Sequence, residues 1–134
     1  MKFLSWNCRG VRNDEFRRAC NDIILINKLD VVCFLETKSS SNLASLNFMR
    51  SLGFDMNFQV PPVGFAGGLW LFWKSGKILL DVLSSTDHYI HCSVMQGSRK
   101  SLLSFAYVQP HDRLKNQVWR DLALFSNQCT VRGW

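Results

Sequence analysis

Two apolar runs near the start of the chain each end in a polar residue, and an amphipathic stretch lies between them. Nothing else in the sequence constrains the fold as strongly. Met1-Lys2-Phe3-Leu4-Ser5-Trp6 leads into Asn7, and Asp30-Val31-Val32-Cys33-Phe34-Leu35 leads into Glu36. In between, Asn13 is a candidate N-cap, with Asp14 and Glu15 in the first turn, where the helix dipole favours acid. Phe16, Ala19, Cys20, Ile23 and Ile24 then recur at helical spacing, with Arg17, Arg18, Asn21 and Asp22 on the opposite face. A strand, a helix and a second strand in this order bring the two strand ends close together, and ligands of α/β sheets gather at such carboxyl ends. The pattern therefore predicts one site shared by the Asn7 amide and the Glu36 carboxylate. A carboxylate so placed is a natural ligand for a hard cation.

Beyond Glu36, Ser39-Ser40-Ser41-Asn42 reads as a loop and cap. Leu43, Leu46, Met49 and Leu52 predict a second helix, closed by Gly53 in a left-handed conformation. A short strand over Phe54 to Val60 is broken by Pro61-Pro62-Val63-Gly64, and Gly67-Gly68 marks a tight turn. Leu69 to Trp73, Ile78 to Leu83, His88 to Met95 and Leu102 to Val108 then read as four strands, with Lys74 to Lys77 and Gln96 to Lys100 as turns. Short connections of this kind predict an antiparallel meander. A last helix is expected from Leu114, Val118, Leu122 and Phe125. Leu69 to Trp73 and Ile78 to Leu80 do not alternate apolar with polar, so both expect cover on two faces. With no internal repeat or linker, residues 1–134 read as one domain of mixed α/β layers.

Composition narrows the class. A hydrophobic fraction of 47% is that of a globular chain. No apolar run approaches the roughly 18 residues of a membrane span, and the start turns polar too soon for a signal peptide. The expectation is a nuclear or cytoplasmic protein without a membrane partner. The five cysteines, an odd number with no C-x-x-C pair, argue for reduced thiols rather than a disulfide framework or a zinc site. A net charge of +6 suits a polyanionic partner such as nucleic acid, although no run of basic residues concentrates the field. His88 and His91, three apart on a strand, face opposite ways and so do not share one metal. His111 follows Pro110 near the presumed active edge, and no role is assigned to it.

Trp6-Asn7-Cys8-Arg9-Gly10, Leu35-Glu36-Thr37-Lys38, Gly67-Gly68-Leu69 and Ala106-Tyr107-Val108 follow one another as in the endonuclease/exonuclease/phosphatase superfamily. More narrowly, the chain resembles the N-terminal endonuclease domain of plant LINE-type (non-LTR) retrotransposon polyproteins. Their Gly-Gly-aliphatic-aromatic-Trp-Lys strand is similar to Gly67 to Lys74 here. The resemblance covers nearly the whole chain, and the ordered set of motifs carries it rather than any single piece. It implies a DNase I-like fold, here half of a four-layered α/β sandwich with one mixed sheet and helices on its outer face. It implies metal-dependent cleavage of phosphodiester bonds, with DNA as partner. Glu36 would then be a ligand of Mg²⁺, with Mn²⁺ as an alternative. Mg²⁺ keeps several waters and needs only one or two carboxylates beside a substrate phosphate. Asn7 would orient the metal-bound water or a phosphate oxygen. Tyr107 would donate a hydrogen bond toward the scissile phosphate, and Lys38 would contact phosphate or support the site.

Each residue also has a plain structural reading: Glu36 as a solvated strand-end acid, Asn7 as a turn former, Tyr107 as an edge aromatic, Lys38 as a surface charge. The family pattern continues with Gly-Asp-Phe-Asn and later Ser-Asp-His segments, which activate the attacking water, and neither occurs in this sequence. The expectation is a C-terminally truncated domain, inactive alone. Its sheet would leave an apolar face exposed and so promote self-association. The other readings are a non-catalytic basic nucleic-acid-binding remnant, a functionless relic, or a superfamily phosphatase acting on a lipid substrate.

Overall fold

The computed structural model describes residues 1–7, 14–38, 43–64 and 66–107. The elements are β1 (Phe3–Asn7), α1 (Asp14–Asn27), β2 (Val31–Leu35), α2 (Leu43–Ser51), β3 (Met56–Val60), β4 (Leu69–Trp73), β5 (Leu79–Ser85), β6 (Tyr89–Gln96) and β7 (Arg99–Ala106). The cap proposed at Asn13, the helix expected around Leu114 to Phe125, and His111 lie outside the described residues.

The strands form two sheets. One is mixed, in the order β1-β2-β4-β3, with β1 parallel to β2 and the other pairs antiparallel; the second is the antiparallel sheet β5-β6-β7. One face of the mixed sheet carries the helices, as the sequence predicts. Val32 and Phe34 of β2 and Trp70 and Phe72 of β4 pack there against Cys20 and Ile24 of α1 and Met49 of α2. Phe34 meets Phe72 edge-on, with ring centroids 6.0 Å apart. The alternate residues, Val31, Cys33 and Leu35 with Leu69, Leu71 and Trp73, face the other way. They pack on Leu80, Ile90, Cys92, Val94 and Phe105 of the second sheet.

This arrangement corrects two expectations. The inner face of the mixed sheet is not bare, because the three-stranded sheet covers it. Every residue of β2 and β4 is consequently buried, which is the two-sided cover their unalternating sequences call for. The basis given for self-association, an exposed inner sheet face, therefore does not hold for the mixed sheet. Likewise, the meander has three strands rather than four. β4 already uses both edges, pairing Leu69 to Trp73 with Leu35 to Val31 on one side and with Val60 to Met56 on the other. A strand with both ladders filled has no hydrogen-bonding groups left for β5. The turn after β4, closed by Lys77 and Ile78 N–H groups donating to the Lys74 carbonyl (3.0 and 3.2 Å), carries the chain across to the second layer instead.

Local signals explain the helix ends. α2 stops in a Schellman arrangement. The Gly53 N–H donates to the Arg50 carbonyl (2.9 Å) and the Phe54 N–H to the Met49 carbonyl (3.1 Å). Gly53 has φ +96°, and Phe54 is buried in the same cluster as Met49. No helix among the described residues is long and apolar enough to cross a membrane.

Candidate functional site

The parallel pairing of β1 and β2 places Asn7 opposite Leu35, so Glu36 emerges one residue beyond Asn7's partner at the same sheet edge. The shared edge predicted for these two residues is the one formed. Glu36 is buried to 9% exposure, while Asn7 is exposed. The backbone at this edge is unusual. Glu36 has φ +59° and Lys38 φ +57°, left-handed values that cost non-glycine residues roughly 1–2 kcal/mol each. Such conformations persist only where surrounding structure imposes them, and they cluster at functional sites.

Here the imposing structure is a glycine strap. Past Leu69, the partner of Leu35, the ladder between β2 and β4 is continued by two bonds. The Thr37 N–H donates to the Gly68 carbonyl (3.1 Å) and the Lys38 N–H to the Gly67 carbonyl (2.8 Å). Both glycines have positive φ, +76° and +93°. At Gly68 a side chain is excluded twice over, because a Cβ would overlap the hydroxyl of the buried Thr37. The Lys38 ammonium lies 3.7 Å from a Glu36 carboxylate oxygen, a half-exposed pair worth at most about 1 kcal/mol. It brings a cation to the only carboxylate at this edge among the described residues of β1, β2 and their ends.

Tyr107 follows β7 in the other sheet. Its backbone N–H donates to the His88 carbonyl (2.8 Å), and the residue packs partly on the inter-sheet core. Tyr107 and His88 line a cavity of about 230 Å³ together with Asp87, Gly67 and Gly68. The glycine strap therefore stands between the two halves of the site. It is bonded to Thr37 and Lys38 on one side and lines the cavity with Tyr107 on the other. Sequence reasoning took the glycines for a turn and gave Thr37, Asp87 and His88 no part in the site. Thr37 had a signal in its place between Glu36 and Lys38. Asp87 and His88 had none, since only the packing of the sheets brings them to the strap. His91, by contrast, lies within β6 with its Nδ1 2.6 Å from the Ser104 hydroxyl and its ring stacked on Tyr89, whereas His88 precedes that strand, so the one strand expected to carry both histidines does not.

The donor set limits what could bind. Among the described residues no group of three or more His, Cys, Asp and Glu side chains gathers. A metal coordinated wholly by such side chains is not built there. One buried carboxylate beside one amide does fit Mg²⁺, which is held by one or two carboxylates while water and phosphate fill the remaining positions.

No family profile and no curated protein matches the sequence. Solved structures match the fold. The endonuclease domain of TRAS1, a telomere-specific non-LTR retrotransposon, superposes with a TM-score of 0.66 at 10% identity over 95% of this chain and 53% of its own. D. rerio TDP2 complexed with a single-strand DNA product matches with a TM-score of 0.60 at 15% identity, over 94% of this chain and 54% of that one. The AP endonuclease LMAP from Leishmania major matches with 0.57 at 19% identity, over 93% and 45%. The chain thus spans about half the length of the structures it matches. What it shares with them is the DNase I-like fold.

Proposed function

We propose that this chain, with its DNase I-like fold, carries the metal-binding half of a phosphodiesterase site in a LINE-type DNA endonuclease domain. The observation that supports this most directly is the edge where Asn7 and Glu36 meet, with Glu36 held at φ +59° against a glycine strap. A carboxylate that only needed solvation would have no use for so constrained a backbone. Glu36 would hold Mg²⁺ or Mn²⁺, which when bound stabilises charge on the phosphate. Asn7 orients a phosphate oxygen or water through its amide. Lys38, already 3.7 Å from the carboxylate, supplies a cation for the phosphate of the bound strand. Tyr107 donates its hydroxyl from the facing sheet. The net charge of +6 favours DNA over a neutral substrate.

In this reading the 134 residues bind metal and DNA but cleave little by themselves. The Gly-Asp-Phe-Asn and Ser-Asp-His segments that activate water are not in the sequence, and catalytic groups acting as a unit lose most of their rate when one is missing. The test is calorimetric Mn²⁺ titration together with nicking of supercoiled plasmid. The expected result is one Mn²⁺ site that Glu36→Gln removes, with nicking at background. A Mn²⁺ isotherm indifferent to Glu36→Gln would refute the metal assignment. Strong nicking abolished by Glu36→Ala would refute the low activity while leaving the site in place.

A further inference from the structure

The cavity behind the glycine strap shares Tyr107 with the proposed phosphodiesterase site, but the rest of its lining beyond the strap lies apart from the Asn7–Glu36 edge. We infer that it is a subsite for one unpaired nucleobase of a single-stranded DNA segment, the base of a nucleotide whose phosphate lies at Glu36 and Lys38. This rests on the proposed nuclease reading for the position of the phosphate.

Size is the first ground. About 230 Å³ is below the roughly 300–1,000 Å³ of sites that enclose a whole drug-sized ligand. It admits one ring system rather than a complete nucleotide or a base pair. Chemistry is the second. Pro61, Val63 and Ala66 form an apolar wall, while His88 and Tyr107 bring planar rings that carry hydrogen-bonding atoms. Unstacked bases are held by such rings and read along their edges. The charged group in the lining is the Asp87 carboxylate, and no lysine or arginine is among the described lining residues. Its negative charge repels phosphate and accepts the exocyclic N–H donors of a base.

The walls are also built before any ligand arrives. Val63 and Ala66 exchange backbone hydrogen bonds of 2.9 and 3.2 Å, which sets the apolar wall. Opposite, Thr86 N–H donates to the Tyr89 carbonyl (2.9 Å), the His88 N–H to the Thr86 hydroxyl (3.2 Å), and the Tyr107 N–H to the His88 carbonyl (2.8 Å). A preformed site spends little binding energy on ordering itself. Gly67 and Gly68 complete the floor without side chains, so a ligand can approach the same backbone that holds Thr37 and Lys38.

The probe is a single-stranded oligonucleotide carrying one 2-aminopurine, compared with the same strand abasic at that position, in Ca²⁺ buffer. The label is moved along the strand to find the register. The expected result is quenched fluorescence at one register and binding tighter than the abasic strand by roughly 5- to 150-fold, the range for one base–aromatic stack. Ala66→Trp fills the cavity from an exposed position and should erase that preference. His88→Ala should reduce it and serves if the tryptophan variant does not fold. Equal affinity for the two strands, or a preference that both variants retain, overturns the subsite.

Broadening of Glu36 and Lys38 amide resonances by Mn²⁺ is read on the same sample. Broadening without base preference defeats the subsite and leaves the nuclease reading standing. Base preference without broadening supports the subsite and defeats the metal assignment.

Discussion

Gly68→Ala tests the central structural claim, that a side-chain-free strap holds the Glu36–Lys38 segment in its left-handed conformation. Two costs apply. Alanine at φ +93° is in a region that L-residues avoid, at roughly 1–2 kcal/mol. The new methyl also overlaps the hydroxyl of Thr37, which is 2% exposed, and overpacking of this kind costs about 1–3 kcal/mol. The sum is about 2–5 kcal/mol, a large part of the roughly 5–15 kcal/mol that holds a domain together. At about 4 °C per kcal/mol, the thermal midpoint should fall by roughly 8–20 °C. Gly67→Ala is the control. Its φ is +76°, but nothing lies within 4 Å of its added Cβ, so only the backbone cost of about 1–2 kcal/mol applies. The overlap can be isolated with Thr37→Ala, which deletes the hydroxyl. In that background Gly68→Ala should cost no more than Gly67→Ala, giving a coupling of roughly 1–3 kcal/mol in a double-mutant cycle read by urea denaturation. Equal costs for the two glycine variants, or a Thr37→Ala background that brings no relief, would refute the strap as described.

Asp55 accepts the backbone N–H of Ser75 at 2.9 Å and the Ser75 hydroxyl, so it ties the start of β3 to the turn after β4. These bonds, the hydroxyl's first, hold its carboxyl below the ordinary 3.8. A depressed acid stabilises the fold above its unfolded value and loses that contribution as pH falls through the lower folded value. Asp55→Asn should therefore flatten the dependence of the thermal midpoint below pH 4 and leave the slope above pH 5 unchanged. For Cys92, whose thiol faces the Leu103 carbonyl at 3.6 Å, burial raises the pKa to about 12. A raised thiol pKa contributes stability below the unfolded value near 9 that is lost as pH climbs toward 12. The buried Cys20, Cys33 and Cys92 should then resist alkylation by iodoacetamide at pH 8 and react together on unfolding. Alkylation of Cys92 in the folded state would contradict its burial.

Much of the site was legible locally. The strand–helix–strand pattern placed Asn7 and Glu36 at one sheet edge, and β2 begins and ends where its apolar run does. Gly53 announced the end of α2, because a left-handed C-terminal residue is a property of a few consecutive positions. The unbroken apolar sequence of β4 correctly called for cover on both faces, and only the identity of the cover was missed. Periodicity and capping operate over one or two turns of chain, so a sequence carries them openly.

Which sheet a strand joins is decided differently. β5 follows β4 by a short turn, as a hairpin would, yet both edges of β4 are taken by strands that precede it in the chain, and β5 must start a second layer. The same layering carries Tyr107 and His88 to the glycine strap beneath Glu36, across gaps in sequence that no local pattern spans. The acid, the amide and the sheet edge they occupy could be read from the order of residues alone. What holds the acid in place and what faces it came from the packing of the two sheets. Hydrogen-bonding edges and apolar faces are filled by whichever long-range partners remain, and those are known only once the chain has packed.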